Sequence, residues 1–234
     1  MAAHNFTLAT AFAKSEASGY NADPQKSGNW STGVTGKGEL IGSNLGCSAP
    51  ATIAYMAETD PGVVVTADWM KTLPESVLNG MARSRYWEPL RCDDLPSGLD
   101  LMCFDFGWDT DVGTSARLLQ KLLGVTEDGS IGSRTLRSLA TLDLPTLARS
   151  LNASDMLLLQ QRLGVVRDGW VGPITLAAVA AQPRQRAAVI SLALGDAQNA
   201  YYRSLPNFGT SGVGWLARTS RRSQAALAIL GKPA

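Results

Sequence analysis

Two stretches of the C-terminal half repeat one another without a gap. Leu119-Gln120, Leu123-Gly124-Val125, Asp128-Gly129, Gly132 and Thr135-Leu136 recur as Leu159-Gln160, Leu163-Gly164-Val165, Asp168-Gly169, Gly172 and Thr175-Leu176. Each pair stands 40 positions apart, as 120 and 160 do, or 136 and 176. A fixed offset of this kind marks a repeated supersecondary unit. Its content reads as helix–turn–helix. The Leu residues pack the first helix, Asp-Gly makes a tight turn, and Ser133 or Pro173 opens the second helix. On this reading the conserved-looking positions within the two copies serve the fold before they serve a ligand.

The rest of the chain favours the same class. No sustained alternation of apolar and polar residues suggests strands, so the fold is expected to be mainly α. Leu8 and Phe12 share a face of a first helix over 6–15. Helices are also expected at 51–57, after Thr66 as N-cap, from Pro74-Glu75 to about Tyr86-Trp87, and over Leu99 to Phe106 as a buried central helix. Further helices are read at 184–203 and at the end of the chain. Gly209 to Gly214 reads as a loop, and the final helix as amphipathic, with Leu216, Leu227 and Leu230 inward and Arg218, Arg221 and Arg222 exposed. Residues 19–50 are the exception. They are rich in Gly, Asn, Ser and Thr and read as a long loop or short hairpin. Trp69 and Trp87 are assigned to the core, while Trp30, in that polar loop, is a candidate for stacking on a sugar ring.

Bulk properties exclude several functions. The 234 residues are 45% hydrophobic and 18% charged, enough apolar material for one or two cores. A net charge of +1 gives no basic field for nucleic acid. Arg83, Arg85 and Arg91, like Arg218, Arg221 and Arg222, read as solvated helix faces. The single histidine, His4, argues against a His-based zinc site and a Ser-His-Asp triad. Cys47, Cys92 and Cys103 do not form a disulfide framework; one bridge and one free thiol is the most they allow. No run reaches the roughly 18 apolar residues of a membrane span. No Lys or Arg precedes the apolar stretch Phe6 to Ala13, which reads as a mature helix and not a signal peptide.

The remaining signal is Glu16, an acidic residue where the first helix meets the Gly-rich loop. General acid catalysis needs a carboxyl that is partly desolvated yet within reach of a substrate. Glu16-Ala17-Ser18-Gly19-Tyr20 resembles the Glu-Gly-Gly-Tyr signature of the glycoside hydrolase family 108 lysozymes. The likeness continues through Gly28-Asn29-Trp30, Gly36 to Leu40, Gly42-Ser43-Asn44 and Gly46 to Ala49. It resumes at Tyr86 to Pro89, Leu95 to Leu99 and Phe104-Asp105, and closes with Gly214-Trp215-Leu216-Ala217-Arg218. The repeat corresponds to the C-terminal half that the family assigns to peptidoglycan binding, its second copy being an added unit.

The resemblance implies an N-acetylmuramidase of phage endolysin type with Glu16 as its acid and no metal or cofactor. It implies a lysozyme-like catalytic part over 1–110, a two-copy helical binding region over 111–182, and C-terminal helices over 183–234 packing back on the rest. Asp23 and Glu39 are candidates for a second carboxylate, with Asp105 and Asp109 able to approach in space. Ser31 and Thr32 are candidates for positioning water, and Tyr20, Asn29, Trp30 and Asn44 for sugar contacts. The expected partner is bacterial peptidoglycan, reached from the host cytoplasm by a holin-dependent route or within a phage particle. Three departures support an alternative, a degenerate binding or phage structural protein: Ala17-Ser18 for Gly-Gly, Lys26 for Asp, and Asp109-Thr110-Asp111 for Asn-Ser-Gly. Lys26 could pair with Glu16 and disfavour its acid form.

Overall fold

The computed structural model describes residues 2–181 and 183–231, with the side chains of 2–4 and 183 left aside; His4 is among them. Among the described residues the protein is helical, with isolated bridges in place of strands. The chain forms two compact units. One is Thr10–Tyr86; the other combines Met1–Ala9 with Trp87–Ala234. Helix α1 (Ala2–Glu16) contributes to both.

In the unit Thr10–Tyr86, the Gly-rich loop leads to α2 (Ala49–Thr59), α3 (Ala67–Lys71) and α4 (Glu75–Ala82). Thr66 caps α3 by accepting the Trp69 N–H, and a π-helical turn follows α4 from Arg83 to Trp87. Met70, Leu78, Met81 and Ile41 are buried, whereas Trp69 is only half-buried.

The second unit is built on α5 (Leu99–Asp109), whose residues 99–107 are all buried. Phe6 and Phe104 meet the buried Trp87 edge-on, at ring distances of 5.3 and 5.6 Å. Next come α6 (Val112–Leu122), α7 (Ser133–Thr141), α8 (Leu144–Ser150), α9 (Ala153–Leu163) and α10 (Pro173–Ala180). The long pair α11 (Pro183–Ser204) and α12 (Phe208–Gly231) packs on itself and on α5. Gly209 to Gly214 thus lies inside a helix and not in a loop. At Gly212 the reason is local, since a Cβ would stand 2.4 Å from the Phe208 ring one turn back.

The repeat is two helix–turn–helix units, α6 with α7 and α9 with α10, each closed by its Gln. Gln120 Nε2 donates to Asp128 Oδ1 (2.7 Å) and Ser130 O (2.9 Å), and its Oε1 accepts from Gly129 N (2.9 Å). Gln160 makes the same three bonds, to Asp168, Trp170 O and Gly169 N. The shared motif is therefore a turn clasp, with both Gln residues buried and both turn glycines at positive φ.

The final helix corrects the expected exposed arginine face. Arg222 is fully buried, and Arg218 keeps only 12% of its side chain exposed. Both serve Asp105, itself 0% exposed: Arg222 Nε lies 2.7 Å from Oδ2, and Arg218 approaches with Nε at 3.0 Å and Nη2 at 2.7 Å. Burial would raise the Asp105 pKa, but the two guanidinium groups hold it below the usual carboxylate range. Arg218 also pairs with Asp109, which accepts from Tyr202 OH, and Arg222 Nη1 donates to Gln198 Oε1. Arg221, in contrast, is exposed.

A second acidic contact holds the N-terminus of α9. Asn152 caps it by accepting the Asp155 N–H and donates its amide to Asp155 and to Asp196 of α11. Burial and the neighbouring Asp196 push Asp155 up to about 7. The fold then binds a proton more tightly than the unfolded chain does, so this group's contribution to stability falls as pH rises from about 4 to about 7. Asp100, pushed up to about 6 by burial, acts with the same sign. The melting temperature is expected to drop between pH 5 and pH 8, and Asp155→Asn to flatten that drop while raising stability at pH 8. An unchanged slope in thermal melts of the variant would remove Asp155 from this role.

Candidate active site

Glu16 is the last residue of the 15-residue helix α1 and is half-buried. The helix end is anchored by Lys14 Nζ, 2.6 Å from Glu75 Oε1 at the start of α4. This places Glu16 at the carbonyl end of the helix, where the chain turns into the polar loop. The departure at Ala17-Ser18 carries no strain: neither residue has positive φ, and a Cβ at Gly19 would meet open space.

Beyond Glu16 the loop is closed on itself by backbone pairs. Asn21 and Ser43 exchange two bonds of 2.8 Å, and Trp30 bridges Leu40. Tyr20 OH donates to Ile41 O at 2.9 Å, and Lys71 Nζ sits 5.6 Å from the centre of its ring. Gly42, at φ +90°, makes room for that ring: a Cβ there would stand 2.6 Å from Tyr20 and 2.8 Å from Asn21 O. Gly42→Ala is expected to cost about 1–3 kcal/mol, read from denaturant unfolding. A cost near zero would mean that Tyr20 is loosely held.

Two predicted sugar contacts have another task. Asn29 is 1% exposed; its side-chain amide donates to Asn21 Oδ1 and Asp23 O at 2.9 Å each, and its backbone carbonyl accepts from Ile41 N and Gly42 N. Asn44, 7% exposed, donates to Met70 O and Lys71 O. Both amides brace the loop from inside. Thr32 spends its hydroxyl on Lys37 O and Val34 N, whereas Ser31 Oγ accepts from Glu39 N (3.0 Å) and donates to no acceptor among the described residues. Glu39 is exposed and Asp23 half-buried, with Asp23 Oδ1 accepting from Gln25 N. Trp30 is half-buried, and its indole N–H is tied to Pro24 O at 2.9 Å. The surface-facing set is thus Glu16, Tyr20, Asp23, Trp30, Ser31 and Glu39.

Asp105 and Asp109 drop out as second carboxylates, because their charges are committed to Arg218, Arg222 and Tyr202. The third departure has a local reason as well. Asp111 caps α6, accepting from Thr114 N at 2.8 Å and from its hydroxyl at 2.6 Å. Lys26 is exposed and forms no ion pair with a described residue, so it does not pair with Glu16. Cys47, Cys92 and Cys103 are buried and form no disulfide among the described residues. Burial pushes the Cys47 thiol up to about 12, which removes it as a nucleophile. No group of three or more metal-ligating side chains occurs among the described residues.

A helical frame with a carboxyl at the end of its first helix, opening onto a polar loop, is that of a lysozyme-like protein. Residues 11–110 match the family model described as Glycosyl hydrolase 108. That span is similar to the glycosyl hydrolase 108 family over its whole matched length. Seven solved chains match the fold. One, described as the structure of Brucella abortus SagA, shares 24% identity with a TM-score of 0.63, over 98% of this chain and 97% of that one. Comparison with curated proteins returns no match.

Proposed function

We propose that the protein hydrolyses bacterial peptidoglycan as an N-acetylmuramidase, cutting the β-1,4 bond between N-acetylmuramic acid and N-acetylglucosamine. The observation that supports this most is the family match over 11–110, with Glu16 half-buried at the carbonyl end of α1. Glu16 would protonate the leaving glycosidic oxygen. The oxocarbenium-like transition state then needs a carboxylate or an activated water on the opposite face. Asp23 and Glu39 remain the candidates for the first and Ser31 for the second; Tyr20 and Trp30 are the aromatic surfaces left for the sugar. In this reading 1–110 carries catalysis, 111–182 wall binding, and 183–234 the closing helices. The protein would act at the wall, delivered through a holin-dependent or virion route.

The test is incubation with purified peptidoglycan, following new reducing ends and new free amines in parallel. Reducing ends without amines are expected. Amines alone would mark a peptidase or amidase and overturn the proposal. Neither product, with binding retained, would return the protein to the wall-binding class.

A further inference from the structure

Only one of the two repeat copies carries an exposed apolar cluster. Seven large hydrophobic residues are exposed among the described residues, and three lie together in the second copy: Val166 (76%), Trp170 (66%) and Ile174 (74%). Their counterparts forty positions earlier are Thr126, Ser130 and Arg134, exposed and polar. The backbone clasp is the same in both copies, so the fold does not demand this change. Exposed indole and branched chains cost solubility, and a cluster of them points to a ligand.

The geometry narrows the ligand. The three residues border a cavity of about 330 Å³, completed by Pro173, Thr175 and Asp168. Trp170 lies against Gly172, where a Cβ would stand 2.4 Å from the indole ring; at Gly132, its counterpart, a Cβ would meet open space. Gly172 therefore lets the ring rest on the backbone and present its other face outward. A platform held this way loses little freedom on binding. At its edge Asp168 uses Oδ1 for Gln160 and Trp170 N, leaving Oδ2 without a hydrogen-bond partner among the described residues. Trp170 N and Gln160 keep that carboxyl below the usual range, so it is an acceptor and repels anions. A flat apolar face with hydroxyl or amide donors at its rim, and no negative charge, fits this site.

We propose that the second repeat copy binds a neutral N-acetylated pyranose of a glycan strand, stacked on Trp170 with Asp168 Oδ2 accepting from its rim. The first copy has no such platform and serves as a spacer. The identity of the polymer rests on the peptidoglycan reading above; the stacking site does not depend on the muramidase chemistry.

Binding isotherms of the full chain carrying Glu16→Gln, which prevents turnover, test this with two probes: purified peptidoglycan and a soluble β-1,4-linked N-acetylglucosamine oligomer. Trp170→Ala in that background is expected to weaken the second-copy site about tenfold for both probes, while Trp170→Phe keeps most of the affinity. Arg134→Ala in the first copy is expected to change nothing. Unchanged binding by Trp170→Ala overturns the proposal. Loss for whole wall but not for the oligomer also overturns it, since the ligand would then be the stem peptide. So does a fall in sedimentation coefficient from dimer to monomer, which would make the patch a self-association face. If the parent releases no reducing ends, the hydrolase reading fails while the Trp170 dependence of binding stands or falls separately.

Discussion

Replacing Glu16 by Gln is expected to lower reducing-end release from peptidoglycan by about 10²–10⁴-fold, the range that a positioned general acid contributes. Gln keeps the length of the side chain and its capacity for hydrogen bonding but has no proton to give to a leaving oxygen. Because Glu16 is half-exposed at a helix end, the substitution should leave the melting temperature close to that of the parent. The pH profile offers a second readout. The parent's rate should fall on the alkaline side as the acid loses its proton, and the variant's residual rate should lack that limb. Full activity in the variant would move the acid elsewhere, to Asp23 or Glu39. Equal loss of activity and of folded structure would make Glu16 a structural residue.

Asp105→Ala is expected to destabilise the unit containing Trp87–Ala234 by about 3–5 kcal/mol, the usual cost of removing one partner from a buried ion pair. Among the described residues Asp105 is the carboxylate paired with the buried Arg222, and it shares Arg218 with Asp109. Its removal leaves Arg222 with only neutral partners among those residues, Gln198, Tyr202 and the Phe106 ring, and so an uncompensated positive charge in a closed site. Replacing Asp105, Arg218 and Arg222 together by apolar residues of similar volume should recover most of the loss, since it is the uncompensated charge that costs. Guanidinium unfolding of the three proteins checks this. A loss under about 1 kcal/mol for Asp105→Ala would mean that water reaches the network and screens it. The pH dependence has the opposite sign to that of Asp155. Asp105 stabilises above the ordinary carboxylate range, and its contribution is lost as pH falls through its lowered value.

The repeat was fully legible in the sequence, because its determinants are local. Gln120 and Asp128, or Gln160 and Asp168, are eight residues apart and meet within one turn. The end of α1 at Glu16, the Thr66 cap and the buried α5 were legible for the same reason, each depending on neighbours within a few positions. The arginine face failed because helical periodicity shows which residues share a side, not what that side meets. Asp105 and Arg222 are 117 positions apart. A carboxylate inside the buried central helix α5 was the available signal, as a buried charge requires a partner. Gly209 to Gly214 failed because glycine lowers helix propensity without forbidding a helix, and packing of α12 against α11 and α5 outweighs it.

In the candidate site the division is similar. Residue types and spacing marked out the polar loop and the two-copy module, and the family resemblance singled out Glu16, since turns, caps and family motifs are written in contiguous residues. Only the tertiary structure turned Asn29 and Asn44 inward, withdrew Asp105 and Asp109 from the candidates, left Lys26 without an ion pair among the described residues and laid the exposed Trp170 ring against Gly172. Those outcomes depend on which polar groups lose water on folding and which partner then satisfies them, and that is settled by contacts between residues far apart in the chain.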